Sequence, residues 1–476
     1  MQKVKYIHFV GIKGVGVAPL AIIAKEAGIE VTGSDVEEVF ITDKALQESG
    51  IIPFVGFSPD HIKNPDLVIT TGAHGGYDNI EVITAKEKGI PVLTKGEAVG
   101  EYMNGEILGR KFTGVAVAGS HGKTTTAAIL TTIFKECGKD PSYVVGTGSI
   151  GSDTLPGHLG KGNYFIAESD EYATEPTHNH RAQFLWTRPS VAIFTNIEHD
   201  HPDIYPSLAE VVQVFQEFAG NIKDGGLLVG NADDPQVDQI LKNYKGRAIS
   251  YGLSPRNDYV LTRVHASGDQ TFFHVLFQGA DLGEFRILLS GDHNCLNALG
   301  AIVIAIESGG LSLELIKPAL AKFTGAQRRL EYKGQLITGA YVFDDYAHHP
   351  TEIRSTLKAL RMRYPKEKIV AIFQPHTYSR TKALLHEFAS SFADANQVIV
   401  TDIFASAREG VDESVSAKIL IERIAQHHSN VLYVCTPSEA ASFIMSEQLG
   451  EGVVVVFMGA GDIYQAIGAL SLKNSK

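Results

Sequence analysis

The chain has 476 residues, of which 44% are hydrophobic and 20% charged, and a formal net charge of −12. That length fits about three ordinary domains, and the acidic balance argues against a general nucleic-acid binder while leaving room for a local phosphate site. Its three cysteines, Cys137, Cys295 and Cys435, form neither a zinc pattern nor a disulfide framework, which suits a reducing cytoplasm; no run has the length of a membrane span, and the start reads into a strand with no leader.

Residues 4–10 read as a strand that ends in the glycine turn Gly11-Ile-Lys-Gly-Val-Gly16. Residues 18–27 read as a helix, and 29–33 as a second strand ending at Ser34-Asp35. Further strands are expected at 66–71 and 91–93, which makes residues 4–100 a parallel α/β unit. A glycine turn between strand and helix, with an acidic residue about twenty positions on, suits a dinucleotide or a uridine diphosphate. The candidates there are Gly11, Ile12, Lys13, Gly14, Val15, Gly16, Ser34 and Asp35. The spacing G-x-x-G-x-G differs from the oxidoreductase fingerprint, and a tight turn without a ligand is the plain alternative. Residues 102–111 carry Asn104-Gly105 and Gly109, a junction signal, and the first domain is set at 1–108.

The second unit, 109–322, opens on the most informative stretch of the chain, Val117-Ala-Gly-Ser-His-Gly-Lys-Thr-Thr-Thr126. An apolar strand precedes it and an apolar helix follows. Glycines let backbone amides turn toward a phosphate, the helix N-terminus adds partial positive charge, Lys123 adds a full one, and Thr124 offers a hydroxyl to a magnesium ion. The loop is the short form G-x-x-G-K-T. Later strands are expected at 164–167, 190–195 and 226–230, an antiparallel patch at 257–290, and an apolar helix at 294–307.

Residues 323–476 return to a parallel α/β rhythm. Strands are expected at 341–344, 369–373, 397–401, 431–435 and Val453–Met458, with helices such as 351–363 and 383–393 between them. The tail after Leu472 reads as frayed. The whole is an α/β protein of three domains: a Rossmann-like first, a phosphate-loop second and a Rossmann-like third.

Taken together the motifs become specific. His8-Phe-Val-Gly-Ile-Lys-Gly-Val-Gly16, Gly119-Ser-His-Gly-Lys-Thr-Thr-Thr126, Glu168-Ser-Asp-Glu171, Thr195-Asn-Ile-Glu-His-Asp-His201, Gly291-Asp-His-Asn-Cys-Leu-Asn297, Arg328-Arg329, Asp344-Asp-Tyr-Ala-His-His-Pro350 and Phe373-Gln-Pro-His-Thr-Tyr-Ser-Arg380 occur in this order. In this the chain resembles the Mur ligases over nearly its full length. The resemblance implies three domains that bind UDP-sugar, ATP and amino acid. Within the family it points to the member that joins L-alanine to the lactyl carboxylate of UDP-N-acetylmuramate through an acyl phosphate, in peptidoglycan precursor synthesis in the cytoplasm. A recycling ligase that adds a tripeptide to the same acceptor is the alternative, because Glu168-Ser-Asp-Glu-Tyr-Ala173 and the longer segment after it, with His178, His180 and Trp186, depart from the L-alanine pattern.

The resemblance also assigns roles. Lys123, Glu168 and His201 are the catalytic candidates, with Thr124, Glu168 and His201 as magnesium ligands; imidazole is not a preferred magnesium ligand, so a structural role for His201 stays open. ATP is expected against Gly119, Ser120, His121, Gly122, Lys123, Thr124, Thr125, Asn196, His293, Asn294, Asn297 and Arg328. Capping of a helix is the plain reading of Asn294. The amino acid is expected at Tyr346, His348, His376 and Arg380, where loops leave the carboxyl ends of strands. Arg380 suits a carboxylate clamp, with a structural ion pair as its alternative. The partners implied are small molecules, with no nucleic acid, no membrane insertion and no stated oligomeric form.

Overall fold

The computed structural model describes residues 4–406 and 409–473; residues 474–476 of the expected frayed tail lie outside them. The first unit is a parallel sheet in the order Phe54–Val55, Glu30–Asp35, Tyr6–Val10, Leu67–Thr70, Val92–Thr94. Tyr6–Val10 is buried from Ile7 onward because a central strand is covered on both faces. The helix Ala18–Glu26 buries every residue from Ala18 to Ala24, and Lys95–Asn104 starts on a reciprocal cap between Thr94 and Glu97.

The second unit holds a ten-stranded sheet. At its centre Thr113–Ala118 lies between Tyr164–Glu168 and Val191–Phe194, all parallel. Leu227–Asn231, Arg247–Gly252 and Tyr259–Ser267 extend it, and an antiparallel meander through Gln270–Phe277 and Ala280–Ile287 completes one edge. The phosphate-loop helix Lys123–Glu136 and the helix Asp292–Glu307 pack on one face, sharing a core that includes Val115, Ile129, Ile133, Ile193, Leu299 and Ile302. A small hairpin, Ala173–Glu175 with Asn179–Ala182, leaves this sheet. It rests on the first unit, where His178 meets Asp78 at 2.9 Å.

The third sheet runs Glu331–Gln335, Tyr341–Asp345, Val453–Met458, Lys368–Phe373, Gln397–Val400, Val431–Tyr433, antiparallel only at its first pair. The strand Glu331–Gln335 was not expected from sequence; its short, charged, half-exposed residues suit an edge and carry no apolar run. Of the helix expected at 383–393 only Leu385–Ala389 forms, and a separate short helix, Tyr378–Ala383, precedes it. Leu385–Ala389 buries Phe388 and Ala389, and Tyr378–Ala383 carries Arg380, which reaches Asp200 of the second unit. The third unit also reaches the first, through a hydrogen bond from the Tyr464 hydroxyl to the Val39 carbonyl at 3.0 Å.

Candidate functional site

The phosphate loop is set by two glycines. Gly119 has φ +138° and Gly122 φ +81°; an added Cβ would strike the Thr195 hydroxyl at the first and the Asn297 side chain at the second. Asn196 holds the turn between them: its Oδ1 accepts from the His121 amide (2.8 Å) and its Nδ2 donates to the His121 carbonyl (3.0 Å). Asn297 lies over Gly122, whereas Asn294 donates back to the Ser290 carbonyl at 2.8 Å and Gly291 takes the cap position. His293 is half-buried on the same turn, and burial pushes its imidazole down to about 4, so it is neutral.

Lys123 is fully committed. Its ammonium donates to the carbonyls of Gly119 (2.7 Å) and Ser120 (3.3 Å) and to Glu171 Oε2 (2.8 Å). Burial works against its charge, but Glu171, Asp170 and Glu168 outweigh it and hold the amine above its ordinary range. Glu171, only 1% exposed, was part of a recognised motif but received no role from sequence; its spacing of three from Glu168, past a strand end, was the available signal. The Thr124 hydroxyl lies 2.9 Å from Glu168 Oε1, while Glu168 Oε2 accepts from the Gly146 amide at 2.7 Å. A hydroxyl and an anchored carboxylate are the hard oxygen donors that magnesium takes. His201 stands apart from that pair, with Nε2 3.9 Å from Glu171 and 3.6 Å from Asp200; these three ligand atoms lie within 4.8 Å of one another.

The third unit closes over the loop. Arg329 Nη2 donates to the Thr124 hydroxyl at 2.8 Å. Arg328, expected at the phosphates, is turned away. It pairs with Asp344 (Nε to Oδ2, 3.3 Å), donates to the Gly459 carbonyl at 2.6 Å, and stacks on Tyr464. The backbone turns at Arg328, φ +60°, and the neighbouring side chains diverge, Arg328 into the third unit and Arg329 across the seam. Tyr346, stacked under the Arg329 guanidinium at 4.8 Å, gathers with His348 and His376. Arg380 joins them through His376 (3.1 Å), but its Nε and Nη2 both donate to Asp200 Oδ1, at 3.0 and 2.7 Å. Arg380 and Asp200 are 4% exposed on their side chains or nearly so. Although burial raises Asp200, Arg380, His201 and the adjacent histidines hold it well below the usual carboxylate range. In this closed arrangement Arg380 is therefore an ion-pair partner, with Nη1 turned to His376.

The first glycine loop is built differently. Asp35 lies beneath it, accepting from the Lys13 amide (2.7 Å) and the Val36 amide (2.8 Å), with His74 Nε2 at 3.4 Å. Burial raises this carboxyl despite those bonds. Ser34 meets His61 at 3.1 Å and its carbonyl receives the Gly11 and Ile12 amides. Ile12 is fully buried, and the Lys13 ammonium is spent on the carbonyls of Val36 and Glu38. Gly14, Val15 and Gly16 are the part that meets solvent. Lys95, missed from sequence because no local motif marks it, lies against Gly16 and pairs with Asp170 of the second unit at 3.3 Å.

Family models match three consecutive stretches: a Mur ligase family catalytic domain over residues 6–106, a Mur ligase middle domain over 117–305 and a Mur ligase glutamate ligase domain over 328–461. The chain belongs to the Mur ligase family. A UDP-N-acetylmuramate–L-alanine ligase of Desulfitobacterium hafniense is 40% identical over 97% of this chain and 98% of its own. One of Caldanaerobacter subterraneus is 36% identical over 100% and 99%. The crystal structure of the UDP-N-acetylmuramate–alanine ligase of Thermotoga maritima superposes with a TM-score of 0.79 at 29% identity, covering 98% of this chain and 97% of that one. A murein peptide ligase from Psychrobacter arcticus shares the Mur ligase fold, with a TM-score of 0.69 at 24% identity over 98% and 99% of the two chains.

Proposed function

We propose that this Mur ligase joins L-alanine to the lactyl carboxylate of UDP-N-acetylmuramate at the expense of ATP, in peptidoglycan precursor synthesis in the cytoplasm. The observation that carries the reading is the phosphate loop with Lys123, Thr124 and Glu168, closed by Arg329 and faced by the Tyr346–His348–His376–Arg380 cluster. Full-length similarity to relatives named for that reaction supports it over the tripeptide-adding alternative.

Gly119–Thr125 would cradle the ATP phosphates with backbone amides, and Lys123 would exchange part of its carbonyl and carboxylate contacts for phosphate oxygens. Thr124 and Glu168 would hold Mg2+, and His201, in the neighbouring group with Glu171 and Asp200, would hold a second; the first ion, when bound, supplies positive charge to the transferring phosphate. The lactyl carboxylate takes the γ-phosphoryl group and ADP leaves. The amine of the amino acid then attacks the acyl carbon, inorganic phosphate leaves, and an amide remains. The protein's part is placement and fixed charge. Gly14–Gly16 would receive the UDP diphosphate, Asp35 and Ser34 holding that turn in shape from below. His293, Asn294 and Asn297 would face the adenosine end of ATP, and His348, His376 and Arg380 the amino acid.

The test is phosphate release with ATP, Mg2+ and UDP-N-acetylmuramate, across L-alanine, glycine, L-serine and the cell-wall tripeptide. L-alanine is expected to give the highest kcat/KM. Turnover with the tripeptide alone would replace this reading by the recycling one.

A further inference from the structure

A third charged cluster occupies the seam between the second and third units, apart from the Lys123 and Arg380 groups. His121 comes from the phosphate loop, Glu198 from the loop after Val191–Phe194, and His349 from the cap of the helix Pro350–Arg363. Each presents one ligand atom, and all three lie within 4.8 Å of one another. His121 Nε2 is 3.6 Å from Glu198 Oε2, and His349 Nδ1 is 3.6 Å from the same oxygen. These separations are too long for hydrogen bonds, and His121 Nε2 is buried with no hydrogen-bond partner among the described residues. The other nitrogen of that ring lies 3.2 Å from Glu352 Oε1. His121 is 8% exposed and His349 5%.

We propose that His121, Glu198 and His349 form a zinc site that ties the phosphate loop to the third unit. Glu352 on Nδ1 orients the His121 ring so that Nε2 faces Glu198, and zinc would take the place of the Nε2 proton there, as carboxylates support metal-bound imidazoles. Zinc–ligand bonds of about 2.0–2.1 Å make a tetrahedron with edges of about 3.4 Å, so the two 3.6 Å separations need to contract by only a small amount. Two imidazoles and one carboxylate are a zinc donor set and a poor magnesium one. A divalent cation with neutral imidazoles also balances the charges of Glu198 and Glu352, which a single imidazolium cannot. At present His349 Nδ1 accepts a long capping bond from the Thr351 amide, 3.3 Å, which the metal would replace. A fourth position remains for water, as in zinc sites with three protein ligands. Because the ligands come from two units, metal binding and closure stabilise one another.

The proposal does not depend on which amine the enzyme uses, and its test needs no turnover. Full-length protein freed of metal by a chelator is titrated with Co2+ in excess Mg2+, and the ligand-field absorption is followed. A stoichiometric tetrahedral band that Zn2+ abolishes is expected. His349→Gln and Glu198→Gln should each lose it, and His201→Gln, which alters the separate Glu171–Asp200–His201 group, should keep it. Circular dichroism verifies that each variant is folded, and Glu198→Gln leaves the helix cap intact. No such band in the unmodified protein, a band that survives in folded Glu198→Gln, or one that falls with His201→Gln overturns the assignment.

Discussion

The two glycine loops of this chain both follow a strand and precede a helix, yet they are held by opposite means. The first is shaped from within its own unit: Asp35 takes the Lys13 and Val36 amides, and the Ser34 carbonyl takes those of Gly11 and Ile12. The phosphate loop is held by side chains that arrive from elsewhere: Asn196 from the next strand, Glu171 from beyond another, and Arg329 and Glu352 from the third unit. A loop set from within its own unit keeps its shape whether or not the molecule closes. A loop set by imported charges can be assembled or dismantled by domain movement.

The sharpest break in that comparison is Lys123→Ala. Turnover should fall by about 100-fold or more. The change also leaves Glu171 buried without its cation, at a cost of about 3–5 kcal/mol. Lys123→Ala with Glu171→Gln should recover much of the melting temperature and none of the phosphate release. Near-normal release from Lys123→Ala would remove the phosphate-loop assignment altogether.

Arg380→Lys comes next. A lysine cannot reproduce the forked contact with Asp200 and His376, and the KM for L-alanine should rise on the order of 10-fold, well beyond any change for ATP. Asp200→Asn separates the two roles of this arginine: it removes the seam ion pair and leaves the guanidinium in place. If Arg380→Lys raised KM for ATP and left that for L-alanine unchanged, Arg380 would serve the seam alone.

The self-contained loop is tested by two glycines. Gly14 has space, since an added Cβ meets nothing closer than the Gly11 carbonyl at 3.4 Å. Gly14→Val should therefore weaken UDP-N-acetylmuramate binding in calorimetry, with ATP binding and melting little changed. Gly11 has φ +73° and its Cβ would lie 2.6 Å from Thr71, so Gly11→Ala should cost about 1–2 kcal/mol of stability whatever the ligand. Equal loss of both nucleotides in Gly14→Val would point to unfolding.

The smallest expected effect is on pH. In chelator-treated protein, burial lowers the His121 imidazole, but Glu352 and Glu198 more than offset this and push it up to about 10. Its ordinary value is 6.5, so its stabilising contribution is complete below that pH and is lost as pH rises through about 10. A decline in melting temperature over that range is expected, and His121→Gln should flatten it. An unchanged alkaline limb in the variant would show that the seam does not depend on this charge.

This contrast also explains what the sequence made legible. Strand–turn–helix periodicity and glycine spacing are local, so most central strands of the parallel sheets, the antiparallel patch and both loops are legible in the sequence, whereas Arg247–Gly252, Ser142–Val144 and the 173–182 hairpin, which lack a distinct apolar run, are not. The ion pairs Lys123–Glu171, Lys95–Asp170 and Arg380–Asp200 join residues far apart in sequence, and no spacing rule reports them. Arg328 and Arg329 show the same limit at its smallest scale. They are neighbours with the same side chain, and the backbone turn at Arg328 with its Asp344 partner leaves Arg329 to face the phosphate loop.

The hydrogen bond from Tyr464 to the Val39 carbonyl gives the molecule the connectivity of a closed ring. The first unit touches the second through His178 and Asp78, the second touches the third through Asp200 and Arg380, and the third returns to the first at Val39. In an open chain of three bodies one hinge turns without regard to the next. In a ring, swinging the third unit away must part it from both neighbours in the same movement. Any movement that opens the seam by carrying the third unit away therefore also breaks the Tyr464–Val39 hydrogen bond, at a point remote from the phosphate loop.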